Sequence, residues 1–118
     1  RTPALEVTPE EWDRMHAVGL RAVYFMCQRA AQAMLTRDGA DGAVRGKIVN
    51  IASLTAAGAW PNVSVYGTIK GGVAQMTKAM ALEWAPHGIC VNAIGPGTFH
   101  TDLTEALYAD PARAERIV

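Results

Sequence analysis

Between Thr8 and Thr36, a mostly apolar stripe recurs every three or four positions: Trp12, Met15, Val18, Ala22, Phe25 or Met26, Arg29 or Ala30, and Ala33. That spacing predicts one long amphipathic helix with a stripe meant for burial. Its start is marked three ways. Thr8 suits the N-cap, Pro9 the first helical position, and Glu11 the acidic position of a capping box. Gly39 is the expected stop, and RDGADGAVRG (37–46) the expected surface connection. KIVNIAS (47–53) is short and rich in β-branched residues, with both alternations largely apolar, which predicts a strand buried on both faces. LTAAGAWPNVS (54–64) reads as loop, punctuated by Gly58 and Pro61. Val65, Ile69, Val73, Met76, Met80 and Trp84 then trace one side of a second long helix, which Pro86 and Gly88 end. GICVNAIG (88–95) predicts a second apolar strand. From Pro96 the chain turns and continues into polar, helix-forming sequence.

The order helix, strand, helix, strand predicts an α/β fold with parallel strands and crossover helices. Two strands alone bury little and leave both edges open, so further strands are expected to precede this segment in the natural protein. The opening RTPALEVTPEEW has no initiating methionine and gives the same expectation of a piece of a longer chain. In an open parallel sheet, ligands bind beyond the carboxyl ends of the strands. Ser53 stands at the end of the first strand, Pro96 and Gly97 at the end of the second, and Tyr66 at the start of the helix between them. Four residues from three separate segments are thereby expected on one rim.

Composition narrows the function classes. The chain has 118 residues, half of them apolar, and eleven basic residues balance eleven acidic ones. That balance gives no nucleic-acid footprint and no attraction to an anionic membrane. No apolar run approaches the ~20 residues that span a bilayer, and no signal-peptide pattern opens the chain. Cys27 and Cys90 lie far apart in apolar surroundings, so both are expected as buried thiols, with no zinc site and a reducing cytoplasm as the location.

Tyr66 and Lys70 are four residues apart, so a helix stacks them on one face. Tyrosine ionises near pH 10 in isolation, and a neighbouring ammonium favours the phenolate. Ser53 adds a hydroxyl able to hold a carbonyl or alcohol oxygen. Together these groups suit proton delivery to, or removal from, a C–OH/C=O centre. Hydrolysis through Ser53 would need a base, and no histidine or carboxylate stands at a spacing that supplies one. Taken alone, Tyr-x-x-x-Lys is also what a solvated helix face looks like. Gly71 and Gly72 each cost a helix about 1 kcal/mol, and close packing against the sheet or a ligand is the expected reason. Trp60 is open between a pocket wall and a packing residue. His16, His87 and His100 read as surface or helix-end residues, and Asp102 and Glu105 as helix-start charges.

The wider text resembles the classical short-chain dehydrogenase/reductase family over nearly all of the chain. GKIVNIAS is similar to the strand carrying that family's active-site serine, YGTIK matches its Tyr-x-x-x-Lys motif, and thirteen positions separate Ser53 from Tyr66, the family's usual spacing. GGVAQMTKAMALEWAPHGICVNAIGPG follows the family text closely, and PGTFHTDL resembles its segment around the nicotinamide end of the cofactor. The resemblance implies a Rossmann-like parallel sheet with flanking helices, incomplete here because the N-terminal βαβ units are absent. Residues 1–118 would then be a partial NAD(P)-binding domain carrying the catalytic segment. It implies NAD or NADP as cofactor and a small alcohol or ketone as substrate, with gluconate 5-dehydrogenases and 3-oxoacyl-carrier-protein reductases as the nearest member types. It implies Tyr66 as general acid/base, Lys70 as the ribose ligand beside it, and Ser53 as the group that positions the substrate oxygen. Pro96, Gly97, Phe99 and Thr101 would line the cofactor, and the long helices would pair copies into homodimers or homotetramers.

Two departures qualify that resemblance. The family's relay asparagine, in the first long helix, is replaced by Gly19 in AVGLRAVYF. The glycine-rich turn that seats a pyrophosphate at a helix N-terminus has no counterpart in these residues. A catalytically inactive fragment, or an oligomerising or binding module, is therefore the alternative expectation.

Overall fold

A computed structural model of the chain describes residues 1–36, 43–102, 104, 105 and 109. Helix α1 spans Pro9–His16, and the Thr8 hydroxyl caps it by accepting the Glu11 backbone N–H at 3.2 Å. The cap is as expected, but Glu11 does not complete a box. Its carboxylate accepts the Thr2 hydroxyl at 2.8 Å instead. Glu10, beside it in the first turn, has its carboxyl held below the usual range by backbone and Thr8 hydrogen bonds.

The long helix is not uniform. Ala17–Arg21 forms a π-helical turn, and α2 continues from Ala22 to Leu35. A π turn holds more than 3.6 residues, so it shifts the phase of everything after it. The expected stripe fails there for this reason. Val18 and Met26 are well exposed and Phe25 half-exposed, whereas Cys27 and Ala31 are buried, with Val23 and Met34 packed beside them. Gly39 and most of the 37–46 connection lie outside the described residues.

Strand β1 is Gly46–Ile51, helix α3 Ser64–Trp84, and strand β2 Ile89–Ile94. A short 3-10 turn, Leu54–Ala56, follows β1, and another, Ala85–His87, carries Pro86 and ends α3. Gly88 then takes φ 73°, a left-handed conformation suited to glycine, and its would-be Cβ points at the Ala43 carbonyl. The strands pair in parallel, from Gly46 opposite Ile89 to Ile51 opposite Ile94. The fold is thus a partial α/β, Rossmann-like unit in which a two-stranded parallel sheet packs with helices.

The core lies between the sheet and the helices. Cys27, Ala31, Met80, Ile89 and Val91 form its centre. On α3 the expected stripe holds: Val65, Ile69, Val73 and Met80 are buried, joined by Thr77. Burial favours the neutral thiol and pushes the Cys27 pKa up. The expectation that β1 is buried on both faces is not met among the described residues: Val49 and Ile51 are each more than half exposed. On β2, Ile94 is more than half exposed, and Cys90, expected as a buried thiol, is exposed, because the described helices cover one face of the sheet.

Candidate active site

The two strands leave the sheet side by side. Beyond their regular pairing, the Ala52 N–H donates to the Ile94 carbonyl at 2.7 Å and the Leu54 N–H to the Pro96 carbonyl at 3.2 Å. These bonds hold Pro96 and Gly97 beside Ser53. Gly95 lies against Ser53, with its would-be Cβ 3.4 Å from the Ser53 carbonyl oxygen, an ordinary contact distance. Ser53 itself is half-buried and extended, and its hydroxyl oxygen accepts the Thr55 N–H at 3.2 Å. That bond starts the 3-10 turn and leaves the hydroxyl proton available to donate.

Tyr66 sits in the first turn of α3, and Lys70 one turn further on. Lys70 Nζ donates to the Ile51 carbonyl at 2.7 Å and lies 5.7 Å from the Tyr66 ring centroid. The last carbonyl of β1 thus fixes the ammonium next to the phenol. An ammonium has three donors, so two remain for other partners. Tyr66 is 39% exposed, enough to meet a ligand.

A cleft of about 790 Å³ opens at this rim. Ser53, Tyr66, Pro96, Gly97, Phe99 and Thr101 all line it, so one concavity gathers six of the seven residues singled out from sequence. Lys70 is not in the wall. It stands behind Tyr66, at the strand end. Trp60, half-exposed, does line the cleft. His100 is engaged by Glu105 at 2.6 Å and is not part of the wall.

Sequence reasoning missed part of this wall. Glu11, Thr2 and Ser64 line the cleft, as does Arg1. Glu11 was hidden by its cap-like position, and only the fold brings the segment before α1 across to Asn62, whose carbonyl accepts the Thr2 N–H at 3.1 Å. Thr104 was also missed. Its hydroxyl accepts the Thr101 N–H at 2.9 Å and donates to the Phe99 carbonyl, which shapes the segment after Gly97. The signal was present as Thr-x-x-Thr, a local turn pattern. Of the two costly glycines in α3, Gly72 meets Leu20 at 3.0 Å from a would-be Cβ, while Gly71 faces open space and nothing in the structure explains it.

The full length of the chain, residues 1–118, matches the family described as enoyl-(acyl carrier protein) reductase. Gluconate 5-dehydrogenase of Gluconobacter oxydans is 39% identical over 93% of this chain and 41% of its own length. Human L-xylulose reductase is 40% identical over 98% of this chain and 46% of its own length. Among solved structures, a gluconate 5-dehydrogenase from Burkholderia cenocepacia in complex with NADP and tartrate is 35% identical. It superposes with a TM-score of 0.86 over 98% of this chain and 43% of that one. A 4-hydroxyisoleucine dehydrogenase complexed with NADH superposes at 0.85, with 29% identity, over 98% of this chain and 45% of its own. The chain therefore spans less than half the length of the relatives it matches.

Proposed function

The chain belongs to the classical short-chain dehydrogenase/reductase family, and on that footing we propose that the protein exchanges hydride between NAD or NADP and the alcohol or carbonyl carbon of a small polyhydroxylated substrate. The observation that carries this reading is the joining of Ser53 and Tyr66 in one cleft wall, with Lys70 pinned beside Tyr66 by the Ile51 carbonyl. Residues 1–118 then form the catalytic segment of a larger Rossmann-like domain.

Tyr66 gives a proton to the substrate oxygen in reduction and takes it back in oxidation. Ser53 donates its remaining hydrogen bond to the same oxygen and fixes its place. Lys70, held beside the phenol by the Ile51 carbonyl, offers its two remaining donors to the ribose. Pro96 and Gly97 stand in the same cleft wall as Ser53 and Tyr66. Held beside these residues, a nicotinamide would supply or accept the hydride. Phe99 and Thr101, held in shape by Thr104, close the same side.

The cleft also carries polar groups among its apolar lining. Thr2, Glu11 and Ser64 offer hydroxyl and carboxylate partners for substrate hydroxyls, and Arg1 a cation for a substrate carboxylate. Sugars and sugar acids, the compounds named for the gluconate and xylulose relatives, match that chemistry. Homodimers or homotetramers built on the long helices fit the exposed Tyr24, Phe25 and Met26 of α2.

Nicotinamide binding and turnover by the full-length protein, against a panel of ketones, ketoses and sugar acids, test the reading. Cofactor binding with turnover of at least one polyhydroxylated compound is the expected result. Absence of both cofactor binding and turnover across the panel defeats it and leaves a binding or oligomerising module.

A further inference from the structure

The π turn and the catalytic helix meet through two reciprocal small-to-large contacts. Gly19, in the middle of the π turn, faces Ile69, which is 2% exposed and lies on α3 between Tyr66 and Lys70. Leu20, the next residue, faces Gly72 on α3. Each helix gives one glycine and receives one branched side chain. The Gly19 contact is the tighter. A Cβ there would come within 2.7 Å of Ile69 Cγ2, closer than real side chains tolerate. Cγ2 is a branch on Cβ, and an isoleucine in a helix is nearly locked in one χ1 rotamer. The methyl has little freedom to swing aside, so a side chain at position 19 forces the π turn and α3 apart.

Helix α3 carries Tyr66 one turn before Ile69 and Lys70 directly after it. A displacement at Ile69 therefore moves both groups against Ser53 and the Ile51 carbonyl, which belong to the sheet. We propose that Gly19 and Ile69 are a coupled pair of positioning residues, whose bare-backbone contact seats α3 so that Tyr66 and Lys70 stand in register with Ser53. The inference rests on the functional reading above. On this account Gly19 is matched to its neighbour, and it is required by the isoleucine opposite.

Gly19→Ala in the full-length protein tests the pair. Alanine is the better helix former, so helix propensity alone predicts a higher melting temperature. The contact predicts a lower one. It also predicts a fall in kcat of about tenfold or more, since small misplacements of reacting groups cost up to ~100-fold, with the substrate KM within about twofold. Adding Ile69→Leu, which removes Cγ2 and keeps the volume, restores both melting temperature and kcat. Adding Ile69→Val, which keeps Cγ2, restores neither. If Gly19→Ala alone fails to fold, the double variant with Ile69→Leu still folds and turns over, and its failure to do so overturns the proposal. A Gly19→Ala protein that melts higher and turns over normally also overturns it, as does equal rescue by valine and leucine. Melting needs no cofactor, so the two readings fail separately. Wild-type protein without turnover defeats the functional reading, while wild-type turnover with uncoupled positions 19 and 69 defeats only this one.

Discussion

At the scale of single residues, the site is an arrangement of three polar groups on two kinds of support. Ser53 is held by the strand exit and its own turn, Tyr66 by the first turn of α3, and Lys70 by the carbonyl of Ile51. The Lys70 bond has a consequence that sequence does not show. Its ammonium ties α3 to the end of β1 as well as flanking the phenol. Lys70→Ala is accordingly expected to weaken cofactor binding by about ten- to hundredfold, the loss of one charged hydrogen bond worth ~1.5–3 kcal/mol, and to lower kcat as well. Fluorescence titration with NAD(P)H beside steady-state rates checks this, and unchanged affinity would remove Lys70 from the ribose. That Ser53 and Tyr66 meet in one cleft, with Lys70 beside Tyr66, was legible from motif and spacing. Glu11 and Thr2 were not, because the partners that bring them to the cleft are distant in sequence.

At the scale of elements, one buried polar chain links all three layers of contact. Cys27 Sγ on α2 donates to Asn50 Oδ1 on β1 at 3.2 Å, and Asn50 Nδ2 donates to Thr77 Oγ1 on α3 at 2.9 Å. Thr77 passes its own hydrogen to the Val73 carbonyl at 2.7 Å. Every member is satisfied, which is the condition for a buried network to stabilise. Thr77→Val keeps the shape and leaves the Asn50 amide without its acceptor, so a loss of about 1–3 kcal/mol is expected in chemical denaturation. A change within a few tenths of a kcal/mol would show that the network carries no stability. The α3 stripe was readable because its period is undisturbed, although Thr77 replaced an apolar residue on it. The first helix was misread after Met15, since one π turn slips the phase and no residue type announces it. Gly19 marks the place only once Ile69 is known to face it.

At the scale of the whole molecule, the asymmetry of the sheet dominates. The helix-covered face buries Ile89 and Val91, while the other presents Val49, Ile51, Cys90 and Ile94. The largely apolar sequence of β1 was legible, and it speaks of two covered faces. Only one is covered among the described residues of a chain that spans less than half of its relatives. The two thiols report on this. In the 118-residue chain, Cys90 is expected to react with a thiol reagent in native buffer, whereas Cys27 reacts only as the core opens, being buried and held in the unreactive thiol form. The sign with pH follows from the raised pKa of Cys27. The stability linked to it is fully present below the ordinary thiol pKa and is lost as pH rises through the elevated value. Ellman titration with and without denaturant checks both thiols, and simultaneous native reaction would contradict the packing of α2 on β1.

The central claim is that Tyr66 moves the proton in a hydride exchange at the cleft it shares with Ser53. Tyr66→Phe in the full-length protein, assayed for turnover and for NAD(P)H affinity in the same preparation, tests it most directly. A fall in kcat of about 10²–10⁴-fold, the usual worth of a positioned acid/base, with cofactor affinity nearly unchanged, is the predicted result. Turnover at the wild-type rate would contradict it.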